Sequence, residues 1–289
     1  MISVKTSLEP TLRNVCLTLL TLLIVFCSAS AKGQFVVAHR GASYDAPENT
    51  LAAFRLAWQK NSDAIEGDFY VTSDERIVCI HDKSTKRVAP KQPTLKVVDS
   101  TLEQLRTLDV GSWKHERYSA ERIPTLKQVL ETVPDGKQIF VEIKCGPEIL
   151  PLMKPQLATS GLKPEQIVII CFNQDVVTQS RKMMPQYDVN WLTSYKQKTA
   201  NGPWTPSQNE VLQVLSRTGA TGLGTNGNLN VINQAFVNSV RSAGFGFHVW
   251  TVNDVAPARQ FADFGSLSIT TDRPAFIRNA IQSADVGAR

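Results

Sequence analysis

The sequence predicts an α/β fold, a TIM-type (β/α)8 barrel with a small insertion after its second strand. Three observations predict it. Apolar, β-rich runs alternate with stretches of helical spacing from Phe35 to the end of the chain. With one hairpin set aside, those runs number eight, and each leads toward a helix-like stretch. Histidines and acids also collect at the ends of the runs, and a barrel of this kind keeps its active site at the carboxyl ends of its strands.

Residues 1–31 are expected to be an export signal. Lys5 and Arg13 make a thinly basic start, Val15–Phe26 is an apolar stretch of twelve residues, and Ala29-Ser30-Ala31 offers a small-residue cleavage site. Twelve residues are too short for a membrane anchor, which takes about 20. Phe26 is too bulky for the small residue that lipidation at Cys27 would need. The mature chain is then expected to start at Lys32, in the periplasm or outside the cell. Of 289 residues, 258 remain, read as one domain over 32–289. Such a barrel runs to about 250 residues.

Phe35–His39 is the first expected strand, and Leu51, Phe54 and Trp58 mark a helix over Asn49–Lys60. Ala64–Val71 is the second strand. Polar Ser73-Asp74-Glu75 and then apolar Ile77–His81 read as a hairpin extending it. The connection Lys83–Ile123 carries an expected helix at Leu102–Leu108 and the tight Gly111-Ser112-Trp113. A helix at Pro124–Val133 precedes the third barrel strand, Gln138–Lys144. Five more strands follow at Ile167–Phe172, Asp188–Thr193, Thr221–Thr225, Gly246–Thr251 and Leu267–Thr271. Helices between them are expected at Gln174–Met184, Ser207–Thr218, Ile232–Ala243 and Val255–Phe264. A last helix begins after Pro274, a residue suited to a first helical turn.

A strand sends residues i and i+2 to one face, so Glu66 with Asp68, and Glu142 with Lys144, each point into one space. His39 and Arg40 close the first strand, and His81 and Asp82 close the hairpin. Acids in apolar runs are rarely buried unless paired. Three of them, with no thiolate or imidazole cluster beside them, favour a hard divalent cation, Ca²⁺ or Mg²⁺, over zinc. Two imidazoles titrating near neutrality suit general acid–base work. Arg40 offers a planar fork and Lys144 a point charge for a phosphate, although Lys144 also suffices to neutralise Glu142. Glu48 and Asn49 read equally as orienting groups and as the cap of the helix that follows. Trp250 reads as a wall for substrate or as barrel packing, and His115 and His248 as structural.

Lys and Arg total 31 against 26 Asp and Glu, a formal net charge of +5 that falls to +4 once Lys5, Glu9 and Arg13 leave. The basic residues are scattered, which suits a small anionic substrate and gives no nucleic-acid stripe. Cys16 and Cys27 leave with the signal. Cys79, Cys145 and Cys171 are an odd set in apolar runs, read as free thiols without zinc spacing.

The order His39-Arg40-Gly41, Pro47-Glu48-Asn49-Thr50, Glu66-x-Asp68, then Val78 through His81-Asp82 resembles the opening signature of the glycerophosphodiester phosphodiesterase family. Gly111-Ser112-Trp113, Arg122-Ile123-Pro124-Thr125-Leu126, Glu142-Ile143-Lys144 and Trp250-Thr251-Val252-Asn253 are similar to its later segments. The resemblance runs from Phe35 to about Ile281. It implies a barrel enzyme that hydrolyses glycerophosphodiesters to sn-glycerol 3-phosphate and an alcohol with a divalent cation, commonly Ca²⁺ or Mg²⁺. It implies Glu66, Asp68 and Glu142 as metal ligands, His39 and His81 as the acid–base pair, and Arg40 and Lys144 on the phosphate. One departure stands out: the family's Asp-Gly turn is Asp74-Glu75 here, a change of backbone chemistry away from the site.

Three other readings compete. A phospholipase D-type hydrolase acting on lysophospholipid or sphingolipid head groups needs an apolar access surface, for which Pro203, Trp204 and Phe245–Phe247 are the sequence hints. A glycosidase would use paired carboxylates, but two acids on one strand with a histidine pair and a lysine fit it poorly. A non-catalytic exported barrel that only binds would be marked by loss of a histidine or a metal acid, and none is missing.

Overall fold

The computed structural model describes Ile2 and residues 34–286, so the signal expected over 1–31 lies, apart from Ile2, outside the described residues. The barrel opens with β1 (Phe35–Ala38), α1 (Leu51–Gln59) and β2 (Ala64–Val71). An insertion follows with β3 (Ile77–Cys79), α2 (Leu102–Arg106) and α3 (Leu126–Leu130). Then come β4 (Gln138–Ile143), α4 (Leu150–Ala158), β5 (Ile167–Cys171), α5 (Gln174–Met183) and β6 (Asp188–Thr193). A two-residue hairpin, β7 (Lys196–Gln197) and β8 (Trp204–Thr205), precedes α6 (Gln208–Thr218) and β9 (Gly222–Asn226). The chain ends with α7 (Gln234–Ser242), β10 (Gly246–Trp250), α8 (Val255–Asp263), β11 (Ser268–Thr271) and α9 (Pro274–Val286).

The parallel strands β1, β2, β4, β5, β6, β9, β10 and β11 pair in that order, and β11 returns to β1, so the expected (β/α)8 barrel closes. Antiparallel β3 extends β2 as the hairpin predicted.

Strand alternation builds the rest. Ile65, Phe69, Ile139, Val141, Ile143, Ile167 and Ile169 face outward into the core shared with the helices. Their neighbours Val37, Ala64, Phe140, Val168, Ile170 and Leu192 face inward and plug the barrel. Continuing that inward register past the plug brings Glu66, Asp68 and Glu142 to the carboxyl-terminal end, with Asp68 directly opposite Glu142 across the β2–β4 pair. The two-residue period therefore puts an acid layer immediately above an oily one.

Two elements went unpredicted. Helix α4 carries Pro151 in its first turn and Pro155 within it, so the usual breakers disguise a segment held by buried Leu150, Met153 and Leu157. The short β7–β8 ribbon lies between the expected strand Asp188–Thr193 and the expected helix Ser207–Thr218, where no element was expected. The expected helix Pro124–Val133 contracts to α3, because Thr125 caps it in a reciprocal capping box with Gln128. The insertion has its own small core of Tyr70, Val78, Ile80, Val88, Val97, Leu105 and Ile123 among others. Among the described residues no helix is long and apolar enough to cross a membrane.

Candidate active site

The turn after β1 carries unusual backbone. Arg40 has φ 55° and Gly41 φ 80°, and a Cβ on Gly41 would fall 2.6 Å from the Ala53 carbonyl carbon. Only glycine fits there. This tight turn aims the Arg40 amide at Glu66, whose Oε2 accepts it at 2.9 Å. Asn49, also left-handed at φ 56°, turns its amide onto Asp68: Nδ2 donates to Oδ2 at 2.8 Å, and Oδ1 accepts the Asp68 amide at 3.2 Å. The cap of α1 is Thr50, which accepts from the Ala53 amide. Glu48 and Asn49, open to two readings in the sequence, therefore serve the site rather than the helix.

Glu66, Asp68 and Glu142 are 2%, 1% and 8% exposed, and an oxygen from each lies within 4.8 Å of the others. Glu66 Oε1 is buried with no hydrogen-bond partner, and Asp68 Oδ1 has only Lys144 Nζ, 3.4 Å away. Burial, then Asp68 and Glu142 as like-charged neighbours, pushes the Glu66 carboxyl well above its ordinary range. Burial and Asp68 push Glu142 up as well, against the pull of Lys144. Burial works against Asp68 too, but Lys144, Arg40 and His81 hold it below its ordinary value. Buried acids with bare oxygens are costly unless something answers them. An all-oxygen cluster in which Glu66 Oε1 and Asp68 Oδ1 lack a hydrogen bond, the second met only by Lys144, fits a hard divalent cation.

The cationic side chains lie on the same wall. Lys144 donates to Glu142 Oε1 at 2.6 Å, and Arg40 meets Glu48 Oε1 at 3.0 Å and Asp68 Oδ2 at 3.2 Å. Burial disfavours the charge of each. The surrounding carboxylates outweigh it and raise both above their ordinary values, so both stay cationic.

Each predicted histidine has a carboxylate behind it. His39 Nδ1 meets Asp272 Oδ1 at 2.7 Å, and His81 Nδ1 meets Asp82 Oδ1 at 2.7 Å. His39 interacts electrostatically with Glu142, and His81 with Asp68. Asp272 also accepts from Ser43 Oγ at 2.9 Å and Asn253 Nδ2 at 2.6 Å; despite burial, these partners and His39 hold it down at about 2. Arg87 Nε donates to Asp82 at 2.8 Å while its two Nη groups grip Glu48 at 2.6 and 2.8 Å. Arg87 thus ties the His81 side of the mouth to the Arg40 side.

Asp272, Asp82 as a histidine partner, Arg87, Ser43 and Asn253 were missed as site residues in the sequence. Asp272 follows β11 directly, so the strand-end rule that picked out the other acids would have found it. Arg87 lies in the insertion, where sequence position carries no such signal.

Trp250 ends β10, edge-on to Phe172 at 5.5 Å and packed against the barrel plug, with its indole N–H buried and unpartnered. His248 bonds Ser268 Oγ at 2.8 Å, and burial lowers it to about 4. His115 caps a short helical turn. The three thiols described are free.

Fold and site together define a class: a (β/α)8 barrel with a buried acid cluster, able to hold a metal, at its carboxyl-terminal mouth. Comparison with known proteins narrows the class. The Glycerophosphoryl diester phosphodiesterase family matches residues 39–276, and the chain belongs to that family. It is 28% identical over 282 residues to the glycerophosphodiester phosphodiesterase of Bacillus subtilis, covering 89% of this chain and 92% of that one. To the glycerophosphodiester phosphodiesterase of Caldanaerobacter subterraneus it is 35% identical over 161 residues, 54% of this chain and 65% of the other. In structure it is similar to an Oleispira antarctica phosphodiesterase solved in complex with the product sn-glycerol-3-phosphate, with a TM-score of 0.76 at 24% identity over 86% of this chain and 97% of that one.

Proposed function

We propose that the protein hydrolyses glycerophosphodiesters to sn-glycerol 3-phosphate and an alcohol with the help of a divalent cation, Ca²⁺ or Mg²⁺. The observation that carries this reading is the buried carboxylate trio, two of whose oxygens lack a hydrogen bond, set beside two histidine–carboxylate pairs. Glu66, Asp68 and Glu142 would hold the cation, which supplies charge neutralisation at the phosphoryl oxygens when bound.

The chain's own groups do the rest. Arg40 and Lys144 place positive charge where an anionic diester must sit, offsetting the repulsion that slows attack on phosphorus. A carboxylate on Nδ1 keeps the proton at that nitrogen and turns Nε2 outward in each histidine. One imidazole takes the proton of the water or substrate hydroxyl that attacks phosphorus, and the other, protonated, gives its proton to the departing alkoxide; where the hydroxyl attacks, water opens the resulting cyclic phosphate with the two roles exchanged. Trp250 walls the substrate on the β10 side. Export of the mature chain from Lys32 is part of the same proposal, supported by the leader pattern of residues 1–31.

The test is release of sn-glycerol 3-phosphate from glycerophosphocholine and glycerophosphoethanolamine. EDTA should abolish it, and Ca²⁺ or Mg²⁺ should restore it. Release unaffected by EDTA would remove the cation from the mechanism, and no release from folded protein with either ion would remove the activity.

A further inference from the structure

Residues 83–97 of the insertion close on themselves. Ser84 pairs with Lys96 in antiparallel fashion, the Thr85 amide donates to the Leu95 carbonyl at 3.0 Å, and the Val97 amide donates to the Lys83 carbonyl at 3.0 Å. Thr85 is fully buried, and its Oγ1 accepts the Leu95 amide at 2.9 Å. Val88, Ala89 and Val97 belong to the small core of the insertion. Arg87 is therefore carried by a backbone anchored on both sides of it.

Its guanidinium divides its donors between two carboxylates, Nε on Asp82 and both Nη groups on Glu48. Each carboxylate already holds a working group of the site. Asp82 meets His81 Nδ1 through Oδ1 and takes Arg87 on Oδ2. Glu48 Oε1 is shared by Arg87 at 2.8 Å and Arg40 Nη1 at 3.0 Å. One planar fork thus joins His81 to Arg40. Arg87 is 42% exposed, and ion pairs this open to water add little to stability, so the value of the arrangement lies in geometry.

We infer that Arg87 is a positioning residue, an assignment that rests on the diesterase reading of the acid cluster. It sets the His81 imidazole and the Arg40 fork relative to one another, and turnover requires the insertion to be docked so that it can. A lysine would keep the charge, but a single ammonium on a flexible stem lacks the rigid fork that holds both carboxylates at once.

Hydrolysis of glycerophosphocholine by the cation-loaded protein, together with the proton spectrum of His81, tests this. Arg87→Ala and Arg87→Lys should each lower kcat by about 10–100-fold, the usual cost of removing a group that orients a working one, with the urea midpoint close to wild type. Millimolar guanidinium should return turnover to Arg87→Ala, and sodium at equal ionic strength should not. In the wild type, the His81 Nδ1 proton held by Asp82 should give a low-field resonance that is absent from His81→Ala. Arg87→Ala should shift or broaden it, and guanidinium should bring it back. A resonance that follows Arg87 in a protein that hydrolyses no diester would keep the positioning role and defeat the diesterase reading. A kcat in Arg87→Ala within about two-fold of wild type, as for an idle surface pair, would overturn the positioning role. So would a resonance indifferent to Arg87, or full turnover in Arg87→Lys, which would reduce the residue to its charge.

Discussion

At the scale of single residues, the site is an electrostatic compromise. Glu66 is the most strained of the three acids, being buried beside two other carboxylates with one oxygen unanswered. Glu66→Gln should therefore leave the cation-free protein at least as stable as wild type, because the amide relieves like-charge crowding. It should abolish cation-dependent turnover, and Glu142→Ala should do the same with the fold intact. Denaturation midpoints and initial rates check both, and full activity in either variant would contradict the ligand assignment. His39→Ala and His81→Ala should each lower kcat by about 10²-fold or more, the usual size of general acid–base catalysis. Asp272→Asn should lower kcat with KM little changed, because it disturbs the tautomer of His39 rather than binding. Equal losses in KM would place Asp272 in binding instead.

At the scale of elements, strand ends carried most of the information. The two-residue period of β2 and β4 announced which acids share a face, since the alternation with outward Ile65, Phe69, Val141 and Ile143 is plain in the sequence. Helix α4 was hidden because Pro151 and Pro155 mimic a break while its buried leucines and methionine hold it from the barrel side. Arg87 was hidden for another reason: its place depends on how the insertion folds back, which local periodicity does not encode. The Asp74-Glu75 turn is a local case that can be tested. Glu75 sits at φ 57°, the region glycine takes without penalty. Glu75→Gly should stabilise the protein by about 0.5–1 kcal/mol, left-handed strain of about 1–2 kcal/mol being partly offset by added unfolded-state freedom. A lower urea midpoint would contradict it. On β10, burial lowers His248 from 6.5 to about 4, so the unfolded chain takes up its proton first as pH falls. Its contribution to stability is complete above pH 6.5 and declines from there toward pH 4. His248→Asn should flatten the midpoint-versus-pH curve in that window relative to wild type.

At the scale of the whole molecule, one closed sheet separates two tasks. Its lower interior is filled with apolar side chains, and its upper rim gathers charge from β1, β2, β4, the hairpin and the turn after β11. Residues 39 and 272 meet only because β11 closes on β1, so the His39–Asp272 pair exists only in the finished barrel. A cation binding this rim but not the unfolded chain should stabilise the fold by about 2.7 kcal/mol at a hundred times its dissociation constant. The most direct test of the central claim is calorimetric titration of EDTA-treated protein with Ca²⁺ and with Mg²⁺. The acid cluster predicts one ion bound per chain, lost in Glu66→Gln and in Glu142→Ala. Binding unchanged in those variants, or none in the wild type, would contradict it.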